Sequence, residues 1–145
     1  MDTSTLVRFA ERPWAQGRLA VRENVTGCGR LFAQAGAVTQ MAGYNSTFEA
    51  LVAGCRPILI PRTHPRREQL IRAKRLAELG LVDVLYKHSD PADLVALLGQ
   101  PSRLSAGALE RAGIWCDGAR RAASVLVELA DRRTMGSRTC RGTPL

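Results

Sequence analysis

The chain has 145 residues, 46% hydrophobic and 23% charged, which is the composition of an ordinary globular domain and excludes a disordered, collagenous or disulfide-stapled chain. At this length one hydrophobic core is expected, and no apolar run reaches the ~18 to 20 residues that cross a bilayer. The formal net charge of +8 invites an anionic partner, but aromatics make up only 5% of the chain, and none interleaves with the basic runs as a stacking platform, which argues against nucleic acid.

Residues 1–30 form a poorly defined N-terminal segment: Leu6 to Phe9 suits a short strand, whereas Pro13, Gly17, Gly27 and Gly29 break any longer period. Leu31 to Ala35 then suits a short helix, and Ala37 to Met41 a buried strand running into Gly43. A helix is expected from about Ser46 to just before Gly54, a glycine placed for the left-handed residue that closes a helix. Pro57-Ile58-Leu59-Ile60-Pro61 is an all-apolar run bracketed by prolines, the pattern of a central parallel strand covered on both faces.

Pro65 fits the first turn of the next helix, whose Leu70, Ala73, Leu76 and Ala77 recur at helical spacing before Gly80 stops it. Val82 to Tyr86 reads as the third strand, and Ser89 or Asp90 caps a further helix with Pro91 in its first turn and Gly99 at its end. A last helix is expected over Leu104 to Asp131, with Leu104, Ala108, Ala112, Trp115, Ala119, Ala122, Leu126 and Leu129 forming a core-facing stripe. Residues 132–145, rich in Arg, Thr and Gly, read as a disordered basic tail. The alternation of strand and helix through short connections predicts an α/β fold, a partial Rossmann-like parallel sheet flanked by helices, over residues 31–131.

Four widely spaced cysteines, Cys28, Cys55, Cys116 and Cys140, with two histidines and no CxxC pair, suit neither a zinc site nor a disulfide framework. With no secretory signal or spanning segment, the sequence reads as cytoplasmic; the cationic Arg62, Arg66 and Arg67 suit a solvated basic face, with diphosphate neutralisation or peripheral contact with an anionic membrane as the alternatives.

The segment richest in chemistry is Met41-Ala42-Gly43-Tyr44-Asn45-Ser46-Thr47-Phe48-Glu49, which sets a glycine turn immediately before a helix N-terminus. Unpaired backbone N–H groups and the positive end of the helix dipole converge there, so a phosphate can bind without a lysine. The same residues carry a structural alternative, because Ser46-Thr47-Phe48-Glu49 is a complete capping box in which Glu49 would bond only to backbone. Glu68 likewise has an alternative partner in Arg72, four residues on. His64 and Arg62, beside the next helix, are possible ligand contacts, with surface roles as the alternative.

The stretch from Ala42 to Leu85 resembles the C-terminal, nucleotide-sugar-binding domain of the family 28 glycosyltransferases of GT-B fold, a family that includes the lipid II-forming N-acetylglucosaminyl transferase and other bacterial relatives. Gly43, Glu49, Ala53-Gly54, Pro57, Pro61 and Gln69 occupy the positions of the family pattern. The resemblance implies that Gly43, Tyr44, Asn45 and Ser46 hold the diphosphate of a nucleotide-diphosphate sugar, with UDP the expected nucleotide. It assigns Glu49 to the ribose hydroxyls and Glu68 with Gln69 to the donor sugar.

No Asp-x-Asp pair is present, in keeping with the metal-independent chemistry of that fold, and no cofactor is implied. In GT-B enzymes the acceptor and catalytic base belong to an N-terminal lobe for which this chain has no room, so the catalytic residues are not assigned. Three readings follow: a truncated glycosyltransferase inactive alone, a donor-binding subunit completed by a separate N-terminal-lobe chain, or a basic α/β protein that binds RNA or anionic membrane without sugar chemistry.

Overall fold

The computed structural model describes residues 7, 8, 10–13, 15–22 and 25–138, excepting the side chains of 133–138. The chain divides into two compact units, residues 1–104 and 105–145. The first is mixed α/β. In chain order it contains α1 (Cys28–Gln34), β1 (Thr39–Gln40), α2 (Tyr44–Val52), β2 (Ile58–Leu59), α3 (Glu68–Glu78), β3 (Asp83–Val84) and α4 (Pro91–Leu98).

The three strands form a parallel sheet in the order β1-β2-β3, with Thr39 opposite Ile58 and Ile58 opposite Asp83. Its ladder includes Ile58 N–H to Val38 O at 2.8 Å, Ile60 N–H to Gln40 O at 2.9 Å and Leu85 N–H to Leu59 O at 2.9 Å. β2 is central and buried at both residues, as its unbroken apolar run requires when helices cover both faces. This is the expected Rossmann-like arrangement of parallel strands flanked by helices.

Two helices end as their glycines dictate. Gly54 (φ 76°) and Gly80 (φ 70°) adopt the left-handed conformation. Beyond them Cys55 N–H reaches Ala50 O at 2.9 Å and Leu81 N–H reaches Leu76 O at 3.0 Å. Each bond satisfies a carbonyl the helix leaves open and turns a buried residue, Cys55 or Leu81, back onto the core. Val38, Ala50 and Cys55 form one buried cluster, with Phe32 and Ala35 packed on it, and the Cys55 thiol donates to Phe32 O at 2.8 Å.

The amino end of the sheet is occupied by residues 102–104. Arg56 N–H donates to Ser102 O at 2.8 Å and Leu104 N–H to Gly54 O at 3.0 Å, while the Arg103 guanidinium donates to Ala33 O and Ala53 O. Arg56 also pairs with Asp83 at 2.8 Å, joining the entries of β2 and β3. The carboxyl ends of β1 and β2 are left to the loops that carry the candidate ligand residues.

Several boundaries differ from the sequence expectation. Val7 and Arg8 are helical, not extended, and Leu6 and Phe9 lie outside the described residues. α2 begins at Tyr44, two residues before Ser46. α3 begins at Glu68 with Arg67 as its N-cap, so Pro65 precedes the helix instead of opening it. For α4 the expectation holds: Asp90 is the N-cap, its side chain accepting from Ala92 N–H at 2.8 Å, and Pro91 opens the helix.

The second unit contains α5 (Ala108–Arg111) and α6 (Gly118–Arg138), where one continuous helix was expected. Gly113 (φ 72°) ends α5 in the same manner as Gly54 and Gly80 end theirs, with Ile114 N–H returning to Leu109 O at 2.9 Å. The apolar stripe is not core either: Trp115, Leu126 and Leu129 are 59%, 66% and 53% exposed. α6 continues to Arg138, through the first part of the segment expected to be disordered, and residues 139–145 lie outside the described residues. Among the described residues no helix is long and apolar enough to cross a membrane.

Candidate functional site

At the carboxyl end of β1 the chain passes through Met41 and the fully buried Ala42 to Gly43, the N-cap of α2. Gly43 has φ −64° and ψ 145°, and no side chain caps the helix. The first helical bond is Thr47 N–H to Gly43 O at 3.1 Å, so the N–H groups of Tyr44, Asn45 and Ser46 are the open donors of the helix start. They carry the positive end of its dipole.

Glycine is not required here by backbone angle, since φ −64° suits any residue. A Cβ on Gly43 would stand 3.2 Å from Ser46 Oγ, a tight contact with the movable end of one side chain. On the inner side of the same turn, the Gln40 amide donates to Ser46 O at 3.2 Å, tying the helix start to the strand.

The capping box does not form. With Gly43 as N-cap, Ser46 is the third helical residue and Glu49 the sixth, too far along for reciprocal bonding with the N-terminus. Glu49 is exposed and among the described residues its carboxylate makes no hydrogen bond or ion pair, leaving both oxygens open to a ligand. Thr47, two residues earlier, is fully buried, and its Oγ1 has no hydrogen-bond partner among the described residues.

At the carboxyl end of β2, after Ile60 and Pro61, the chain forms an open hollow of about 180 Å³ lined by Arg62, His64, Pro65, Arg66, Glu68 and Gln69. Four of the sequence-derived candidates, Arg62, His64, Glu68 and Gln69, are thus brought to one wall. Gln69 Oε1 accepts from Arg62 N–H at 3.1 Å, which fixes the loop and leaves the Gln69 amide NH₂ as its unused donor. His64 Nδ1 lies 3.2 Å from Thr63 Oγ1.

The Glu68 to Arg72 pair does not form. Arg72 instead reaches back thirty residues: its Nη1 donates to Ala42 O at 2.7 Å and its guanidinium lies over the Tyr44 ring, 5.4 Å from the centroid. Tyr44 itself is 63% exposed and tilts against Phe48, with ring centroids 4.9 Å apart. Arg72 therefore joins the turn after β1 to the helix that opens the hollow after β2. Sequence reasoning gave Arg72 only a local partner. The available signal was its spacing: four residues before the buried Leu76, it falls on the face of α3 that packs inward.

The two groups of candidates, Gly43 to Ser46 with Glu49, and Arg62, His64, Glu68 and Gln69, follow adjacent parallel strands at their carboxyl ends, where open α/β sheets bind ligands. The arrangement offers open backbone donors, cationic side chains and two carboxylates, a set suited to an anionic group bearing hydroxyls. Among the described residues no three His, Cys, Asp or Glu side chains cluster as metal ligands.

No family model, curated protein or solved structure matches the chain. What the structure defines is the class, a Rossmann-like α/β unit with three parallel strands; the functional reading rests on the residues at their carboxyl ends.

Proposed function

We propose that the chain binds a nucleotide-diphosphate sugar as the donor-binding part of a GT-B-type glycosyltransferase, with UDP as the nucleotide. In this reading the diphosphate sits against the N–H groups of Tyr44, Asn45 and Ser46, Glu49 takes the ribose hydroxyls, and Glu68 and Gln69 meet the donor sugar. Arg62 and His64 flank the phosphates. The observation that carries the reading is the uncapped start of α2 at the end of β1, tied through Arg72 to the cationic hollow at the end of β2.

Chemically, such a site would favour departure of the nucleoside diphosphate. Negative charge grows on the leaving phosphate oxygens as the glycosidic bond breaks, and fixed N–H donors at a helix start stabilise that charge without reorganising. The reading assigns donor binding alone to this chain. The acceptor and the base that activates it belong to another lobe or chain in glycosyltransferases of this kind.

The test is calorimetric titration of the wild type and Glu49→Gln with UDP and with other nucleoside diphosphates. Loss of a charged hydrogen-bond acceptor for the ribose costs about 1.5–3 kcal/mol, or roughly ten- to a hundredfold in affinity. Helix content should not change, because the Glu49 carboxylate bonds to nothing among the described residues and its backbone bonds are unaffected by the substitution. Equal affinity in both proteins would remove Glu49 from the site. Binding to polyanions with steep salt dependence, and to no nucleotide, would favour the basic binding-protein reading instead.

A further inference from the structure

Building on that reading, we infer that Arg72 is a positioning residue of the phosphate site, holding the Gly43 turn in its binding geometry. The turn needs such a restraint. Gly43 carries no side chain and α2 no side-chain cap, and the Gln40 bond to Ser46 O holds the first turn only from the strand side, so the residues before Gly43 need a second anchor. Ala42 is fully buried, and its carbonyl would be left without a partner if Arg72 did not donate to it at 2.7 Å. The same guanidinium lies on the Tyr44 ring, so one side chain grips the turn on both sides of Gly43, through the backbone before it and the side chain after it.

Arg72 stands three residues after Gln69, which in turn holds Arg62. A single turn of α3 thus orders the loops after both strands, and the spacing between the open N–H groups and the hollow is set by that helix. A planar guanidinium, with several donors and an aromatic-stacking face, meets both demands at once.

The experiment uses the full chain with inorganic pyrophosphate as probe, read by calorimetry and by amide chemical shifts of Tyr44 to Ser46, for wild type, Arg72→Met, Arg72→Lys, Tyr44→Leu and the double variant Arg72→Met with Tyr44→Leu. Met keeps most of the aliphatic stem and removes both contacts, so binding should weaken roughly tenfold, whereas Lys, which can donate to Ala42 O but has no planar face for the ring, should lose less, about threefold. Tyr44→Leu should weaken binding in the wild-type background and change nothing further once Arg72 is Met, since both act through the same restraint.

If Tyr44→Leu has the same effect in both backgrounds, or Arg72→Met binds as wild type does, the positioning role is wrong. Because Tyr44 is exposed, its variant remains informative even if Arg72→Met does not fold. Failure of the wild type to bind pyrophosphate at Tyr44 to Ser46 overturns the donor-binding reading itself and this inference with it. Binding there that is insensitive to Arg72 overturns the inference alone.

Discussion

Thr47 is the buried polar residue whose environment gives the sharpest stability prediction. It is fully buried in the first half of α2, and its Oγ1 has no hydrogen-bond partner among the described residues. A buried hydroxyl left unpaired costs about 1–3 kcal/mol. Thr47→Val replaces it with a methyl group of similar size and keeps the β-branch, and the two residues have nearly equal helix propensity. Taking the lower end to allow for the slightly larger methyl, the variant should be more stable by about 1 kcal/mol, raising the thermal midpoint by roughly 2–4 °C.

Thermal and urea unfolding followed by circular dichroism would measure this, with Thr47→Ser as the comparison. Serine keeps the hydroxyl and deletes a buried methyl, so it should lose about 1 kcal/mol. A Val variant that melts lower than wild type would refute the reasoning and show that the hydroxyl has a bonding partner in solution.

Two further outcomes follow from the packing. Asp90→Ala removes the bond to Ala92 N–H that caps α4 and should cost about 1 kcal/mol in urea unfolding, while Asp90→Asn should retain most of it. Leu126→Lys, on the exposed face of α6, should change stability by no more than about 0.5 kcal/mol, whereas Leu59→Ala in the buried central strand should cost about 2–5 kcal/mol; a large loss at Leu126 would mean that the stripe is covered after all.

What the sequence made legible was set by features whose physical requirement is local. The Pro57 to Pro61 run identified the central strand because only a doubly covered strand is apolar throughout. Gly54 and Gly80 marked helix ends because each must take a positive φ. Helix starts were harder. Ser46 looks like a cap, but Gly43 ends the strand turn and lets α2 begin at Tyr44, drawing Ser46 inside the helix and undoing the capping box. Pro65 suits a first turn equally well in isolation, yet the residues from Arg62 to Arg67 form the wall of the hollow.

The stripe from Leu104 to Leu129 has the spacing of a core face, but spacing alone does not say whether a surface covers it, nor that Gly113 breaks the helix. In the candidate site, the glycine turn before α2 was visible in the residues themselves, whereas Glu68 and Gln69 were singled out by the family resemblance. Arg72 was legible from neither, because its partners, Ala42 O and the Tyr44 ring, lie about thirty residues away and become neighbours only when β1 and α3 pack on the same sheet.

The central claim is that a nucleoside diphosphate binds where β1 and β2 end, and amide-resolved magnetic resonance during a titration with UDP tests it most directly. The account predicts saturable shifts that are largest at the backbone amides of Tyr44, Asn45 and Ser46, with smaller ones at Glu49, Arg62 and Gln69 and none along α6. Saturable shifts confined to other surfaces, or no shifts at millimolar UDP, would contradict it.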